Sequence, residues 1–105
     1  YKLKRKLKSL KNSVLKKLED YDFFLMPTVS LAPPLIKTLN DKKKYHYYNN
    51  MVLNNTRGIN VFDLCAISLP LNIPSRKWLS ISIISKKNND KNLLAIAEKI
   101  ESILL

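Results

Sequence analysis

The sequence predicts an α/β fold in which helices cover a sheet of three strands, and three observations carry that expectation. Apolar residues recur at helical spacing near both ends of the 105-residue chain. Between them lie three apolar runs of strand length, "DFFLMPT", "CAISLPL" and "WLSISII". Proline-bearing punctuation, "VSLAPPLI" and "NIPSRK", separates those runs and breaks any continuous helix through them.

Residues 2 to about 20 read as an amphipathic helix, with Leu3, Leu7, Leu10, Val14 and Leu18 on one face and lysines on the other. "DFFLMPT" is a buried strand ended by proline, and "VSLAPPLI" an irregular loop. "NDKKKYHYYNN" is read as a polar loop or excursion, with a helix over the first half of Met51 to Phe62. "CAISLPL" forms a second buried strand, expected as an inner strand of a sheet whose other strands are missing here. "WLSISII" alternates, placing Leu79, Ile81 and Ile83 on one side and Ser80 and Ser82 on the other. After the loop "KKNND", Asn89 or Asp90 caps a last helix whose buried face is Leu93, Ala97, Ile100 and Leu104.

The formal net charge is +11. Lys2, Lys4, Arg5, Lys6, Lys8, Lys11, Lys16 and Lys17 crowd the start, and Lys42, Lys43 and Lys44 form a second run. Such a balance suits nucleic acid, an anionic membrane or an acidic partner. Sixteen lysines against three arginines is a poor tool for reading bases, where the planar guanidinium is favoured. A compositional bias with solvated lysines accounts for the charge more simply. Cys65 is the sole cysteine, which excludes an internal disulfide and fits a reducing, cytoplasmic setting. No stretch reaches the roughly 20 apolar residues of a membrane span.

Chemistry-bearing motifs are scarce. His46 is the single histidine, and no Cys/His cluster has metal-ligand spacing. With Gly58 as the only glycine, no glycine-rich phosphate loop exists. Tyr45, Tyr47 and Tyr48 beside the lysine run could stack on bases, shield a pocket or simply face water. No catalytic residue, metal site or cofactor is expected. The residues alone support a basic α/β fragment, since three strands with open edges make a thin sheet and the chain opens on Tyr1.

Three segments in register resemble the C-terminal part of amidase signature enzymes. "YDFFLMPTVSLAPP" resembles the family's strand and loop, with "YD", "PT" and "APP" in order. "NNTRGINVFDLCAISLPL" is similar to the segment where Thr, Asn and an "A-I-S-x-P" strand recur. "WLSISIISKKNNDKNLLAIAEKIE" resembles the closing strand and helix. The resemblance implies a fragment of the amidase signature fold, with helices on a short mixed sheet that absent N-terminal residues complete. It divides 1–105 into a helix (1–20), a strand, proline loop, tyrosine-rich segment and second strand (21–71), and a strand with closing helix (72–105).

The family hydrolyses amide bonds with a nucleophilic serine, a second serine and a lysine base, in an upstream stretch that this chain lacks. The resemblance therefore implies a small amide as substrate of the complete enzyme and the N-terminal part of the domain as partner. It leaves a homodimer open and implies neither specific nucleic acid nor a membrane span. Its analogy makes Thr56, Arg57 and Asn60 the candidates for lining a substrate pocket, although Thr56 and Asn60 could equally serve a cap and a turn. Departures are clear: Asp63-Leu64-Cys65-Ala66 stands where many members carry Gly-Leu-Pro-Ala, and Arg76 and Lys77 sit where glycines are usual. The "DLCA" form resembles the allophanate-hydrolase-like side of the family. No acidic residue near Leu53 matches the one used by glutamine-dependent amidotransferase A subunits. The alternative reading is a small basic nucleic-acid-binding or interaction module.

Overall fold

The structure, a computed structural model, describes residues 1–104. Its elements run α1 (Lys2–Leu18), β1 (Phe24–Pro27), a 3₁₀ turn (Ile36–Asn40), α2 (Lys42–Val61), β2 (Cys65–Pro70), a second 3₁₀ turn (Pro74–Arg76), β3 (Ser80–Ser85) and α3 (Asp90–Leu104). The α/β architecture is as expected. Within the described residues the anticipated mixed sheet is wholly antiparallel, in the order β1-β3-β2.

The middle of the three described strands thus falls to β3, with β1 and β2 on either side of it. Register follows the alternation read from the sequence. Ile83 pairs with Leu25 on one side and Ile67 on the other, while Ser82 pairs with Met26 and Ser68. Direct pairs share a face. One face therefore carries Ile67, Leu69, Ile81 and Ile83, and α3 lies across it through Leu93 and Ala97, with Ile96, Ile100 and Leu104 packed around. Ile83 is fully buried, an environment worth about 1.5–3 kcal/mol for such a side chain.

On the opposite face, Thr28 Oγ1 lies 2.9 Å from Ser68 Oγ and 2.8 Å from Ser82 Oγ. Both outer strands end in proline. Thr28 N–H donates to the Ser80 carbonyl at 3.3 Å, and Leu71 N–H to the Leu79 carbonyl at 3.0 Å. Because paired and unpaired positions alternate along an antiparallel ladder, Pro27 and Pro70 turn their nitrogens outward, where no ladder bond is lost.

Two expectations are corrected. The tyrosine-rich segment is helical: α2 begins at Lys42 and runs through Val61. Asp41 starts it, its Oδ1 accepting from Lys43 N–H at 2.9 Å and Lys44 N–H at 3.4 Å, which satisfies donors that a helix start leaves open. The apolar face of α1 is the second. Leu7, Val14 and Leu18 are half-buried, but Leu3 is 83% exposed, and no residue of α1 is buried. The helix forms because Leu, Lys and Arg lose little rotamer freedom in it; its seam is only partly covered.

The molecule is a slab of 44 × 43 × 17 Å with a radius of gyration of 16.4 Å. A compact chain of this length has about 13 Å. Among the described residues the buried apolar core is Leu69, Ile83, Ile84, Leu93 and Ala97.

Candidate functional site

The three pocket candidates all fall on the last turns of α2. Thr56 and Asn60 are one turn apart, and Arg57 lies about 100° around the helix from Thr56. Thr56 is half-buried, and its hydroxyl donates to the Leu53 carbonyl of its own helix at 3.1 Å. That bond is the back-bonding habit of a mid-helix threonine. Arg57 and Asn60 are exposed. Arg57 Nη2 donates to Asn50 Oδ1 at 3.0 Å, which orients the guanidinium along the helix and leaves its other donors outward. Asn50, Asn54, Arg57 and Asn60 recur at spacings of four, three and three, so one exposed face carries amides and a cation with no acidic residue in α2.

Two contacts anchor this helix beside the sheet. Asn55 Nδ2 donates to the Pro27 carbonyl at 2.9 Å, and Ser30 Oγ to the Met51 carbonyl at 3.0 Å. The helix then stops sharply. Asp63 takes φ 53°, in the left-handed region. Leu64 N–H reaches the Ile59 carbonyl at 3.0 Å and Asp63 N–H the Asn60 carbonyl at 3.2 Å, a Schellman ending. A glycine suits that position because it lacks a Cβ, and aspartate is among the few other residues that tolerate it. The Asp63 carboxylate is used as well: Lys11 Nζ stands 2.7 Å from Oδ2. The hydrogen bond and charge of Lys11 hold the Asp63 carboxyl below its ordinary pKa.

Other chemistry-bearing groups have bland partners. The Cys65 thiol points at the carbonyls of Lys86, 3.2 Å away, and Ser85, 3.6 Å away. Partial burial, reinforced by the charge of Asp90, pushes its pKa up, so it stays protonated and unreactive near neutrality. His46 packs edge-on to Tyr45, and Tyr47 to Tyr48. Thr28 bridges Ser68 and Ser82, with no lysine or histidine among their side-chain partners in the described residues. A serine without a base or oxyanion donors is a weak nucleophile. No group of three or more His, Cys, Asp or Glu able to hold a metal occurs among the described residues.

One feature escaped sequence reasoning. A cavity of about 460 Å³ opens between the α1–β1 connection and α3. Its floor includes Ser85, whose Oγ accepts from Asn89 Nδ2 at 2.6 Å, while Asn89 Oδ1 accepts from Asn92 Nδ2 at 2.7 Å. Asn89 stands just ahead of α3, its carbonyl accepting from Leu93 N–H at 3.0 Å, while its side chain bonds those of Ser85 and Asn92. The available signal was the spacing of Asn92, Ala95, Ile96 and Lys99, a second stripe on α3.

Comparison with known proteins adds what the geometry cannot. The profile of the family described as Amidase matches residues 1–94. Among curated proteins, the 2-amino-5-chloromuconic acid deaminase of Comamonas testosteroni is 25% identical over 87 residues, covering 82% of this chain and 19% of that protein. The chain therefore spans about a fifth of the length of the curated relative it matches. No solved structure matches it significantly.

Proposed function

The chain belongs to the amidase family, a family of carbon–nitrogen hydrolases, and from that premise we propose that it is the C-terminal portion of an amide-hydrolysing enzyme. Its place in the complete enzyme is to extend the sheet and wall the substrate pocket with the α2 face of Thr56, Arg57 and Asn60. The Ser-Ser-Lys set that cleaves the bond belongs to the N-terminal portion of the domain, and the segment alone is catalytically silent. The substrate is a small amide; the relative, named for deamination of 2-amino-5-chloromuconic acid, also acts at a carbon–nitrogen bond. A cytoplasmic location accompanies this reading; the described residues contain no helix long and apolar enough to cross a membrane.

One observation carries the proposal: a family match over most of the chain falls on a slab whose sheet has two open edges and whose buried apolar core is five residues. A domain of about 100 residues ordinarily closes on itself more fully. The test incubates the isolated chain with simple amides and a serine-directed fluorophosphonate, expecting neither turnover nor labelling. The chain is then joined to the N-terminal portion of the Comamonas deaminase in place of that enzyme's matching segment. Restored turnover supports the proposal. Turnover by the isolated chain overturns it, as does a correctly folded but inert chimera.

A second reading rests on α1, which carries eight cations and no acid over Lys2–Leu18. It is a basic nucleic-acid-binding or interaction module. Counterion release makes such binding fall steeply with salt. Binding to RNA or DNA no stronger than that of a scrambled peptide of equal charge dismisses it.

A further inference from the structure

The outer rims of β1 and β2 differ in chemistry. Thr28 N–H bonds the Ser80 carbonyl, so Met26 and Phe24 also face β3, and Leu25 turns its N–H and carbonyl outward. Pro27 turns outward too, but it has no N–H, and its carbonyl accepts from Asn55 Nδ2 at 2.9 Å. On β2 the same alternation turns Ala66, Ser68 and Pro70 outward. Side chains separate the rims further. Ile67 and Leu69 of β2 lie against α3, and the exposed residues of that strand are Ala66, Ser68 and Pro70. On β1, Leu25 shares the α3 face with its partner Ile83. Yet α3 packs over β2 and β3, and Leu25 is 56% exposed. The cleft between the α1–β1 connection and α3 is bordered by Phe23 and Ile96, which pack against the core that contains Ile83.

We propose that the outer rim of β1 at Leu25 is the seam where a strand from the N-terminal portion of the amidase domain joins the sheet. This rests on the reading of the chain as the C-terminal portion of an amide-hydrolysing enzyme. In the relative the matched segment is 19% of the protein, so most of such an enzyme remains to supply the strand. The added strand gives the Leu25 N–H an acceptor and the Leu25 carbonyl a donor, as strand addition at a sheet rim does. Pairing runs along Phe23 and Leu25, because at Pro27 no donor remains and the carbonyl is engaged. Alternate side chains of that strand fall on the α3 face, and they are apolar, since they cover Leu25. The rim of β2 offers less. Its apolar side chains already lie against α3, so a neighbour there gains backbone bonds but little apolar burial.

The test follows amide hydrogen exchange in the free chain and in its chimera with the N-terminal portion of the Comamonas deaminase. The Leu25 amide should exchange at least about tenfold more slowly in the chimera, while the Ala66 and Ser68 amides keep their free-chain rates. An unchanged Leu25 rate overturns the proposal, and so does protection gained at Ala66 and Ser68 instead. Leu25→Lys should leave the circular dichroism spectrum of the free chain unaltered, because that side chain already meets water. In the chimera it should cut turnover at least about tenfold, whereas Ala66→Lys should not, since a charge guards only the rim that is used. Exchange is read on the unaltered sequence, so it decides the matter even where a variant misfolds. A folded chimera protected at Leu25 but inert leaves the seam standing and overturns the catalytic reading alone. Turnover without protection at Leu25 does the reverse, and a chimera that fails to fold overturns both.

Discussion

Lys11 Nζ sits 2.7 Å from Asp63 Oδ2, tying the middle of α1 to the residue that ends α2, 52 positions away. The partner carboxylate belongs to a residue whose own backbone is left-handed. One side chain thus joins two elements while its main chain terminates one of them.

Acid should dissolve this tie. The Asp63 carboxyl is held below its ordinary pKa, chiefly by hydrogen bonding to Lys11. A depressed folded-state pKa gives stability that is present above the unfolded value and is lost as pH falls through the folded one. Urea midpoints of the wild type and of Lys11→Met should therefore differ slightly near neutrality and converge below the folded-state pKa. A difference that persists undiminished in acid would show that the lysine acts through its aliphatic stem instead. Asp63→Asn, which keeps tolerance of the left-handed backbone, should behave as Lys11→Met does.

The start of α2 depends on a single side chain. Asp41→Ala removes the acceptor for the Lys43 and Lys44 N–H groups and should cost about 0.5–2 kcal/mol. Chemical denaturation followed at 222 nm reads it. Asp41→Ser should recover most of the loss, whereas an alanine variant equal to wild type would mean that the helix starts elsewhere.

Gly58 is a helix-interior residue with open space around it: a Cβ there meets nothing within 4 Å. Its φ is not positive. Gly58→Ala should stabilise the chain by roughly 0.5–1 kcal/mol, the usual gain in backbone entropy and helix propensity. A loss of stability on that substitution would reveal a close approach to the helix at this point.

The Cys65 thiol should resist alkylation. Its raised pKa, due first to burial and next to Asp90, keeps the thiolate scarce. Iodoacetamide should modify the folded chain several-fold more slowly than glutathione near pH 8, with the rate still climbing where a free cysteine has levelled off. In urea the two rates should merge. The same raised pKa gives stability that is complete below the unfolded thiol's pKa and fades as pH rises through the folded value.

What the sequence made legible is what period alone determines. The alternation of "WLSISII" assigned Ile81 and Ile83 to the α3 side, and the helical spacing of Leu93 and Ala97 found their partners. Lys42–Tyr48 defeated the same reasoning. That half of α2 is exposed except at Tyr48, so it has no apolar stripe to betray it; the one local cue was Asp41. The place of β2 among the three described strands was illegible for a different reason. Its run "CAISLPL" has the greasiness of an inner strand, and only pairing decides which strand has two neighbours. Asp63 was legible as a departure from the glycine usual in the family, but its meaning came from φ 53° and the bond to Lys11. Thr56, Arg57 and Asn60 were named by resemblance; the structure gathers them on one helix end, and Thr56 spends its hydroxyl on the helix itself. The cavity needed three elements distant in sequence, which no local pattern records.

The two outward-turned prolines have a consequence for the life of the isolated chain. A slab with bare strand borders and exposed leucines is a template for fibrous self-association, strand upon strand. Pro27 and Pro70 flank the same end of β3, opposite Ile81 and Ser80. Each removes a donor from the outer border, so an incoming copy finds both rims notched at one end. These residues act as gatekeepers, and replacing both with valine should let copies of the chain stack upon one another.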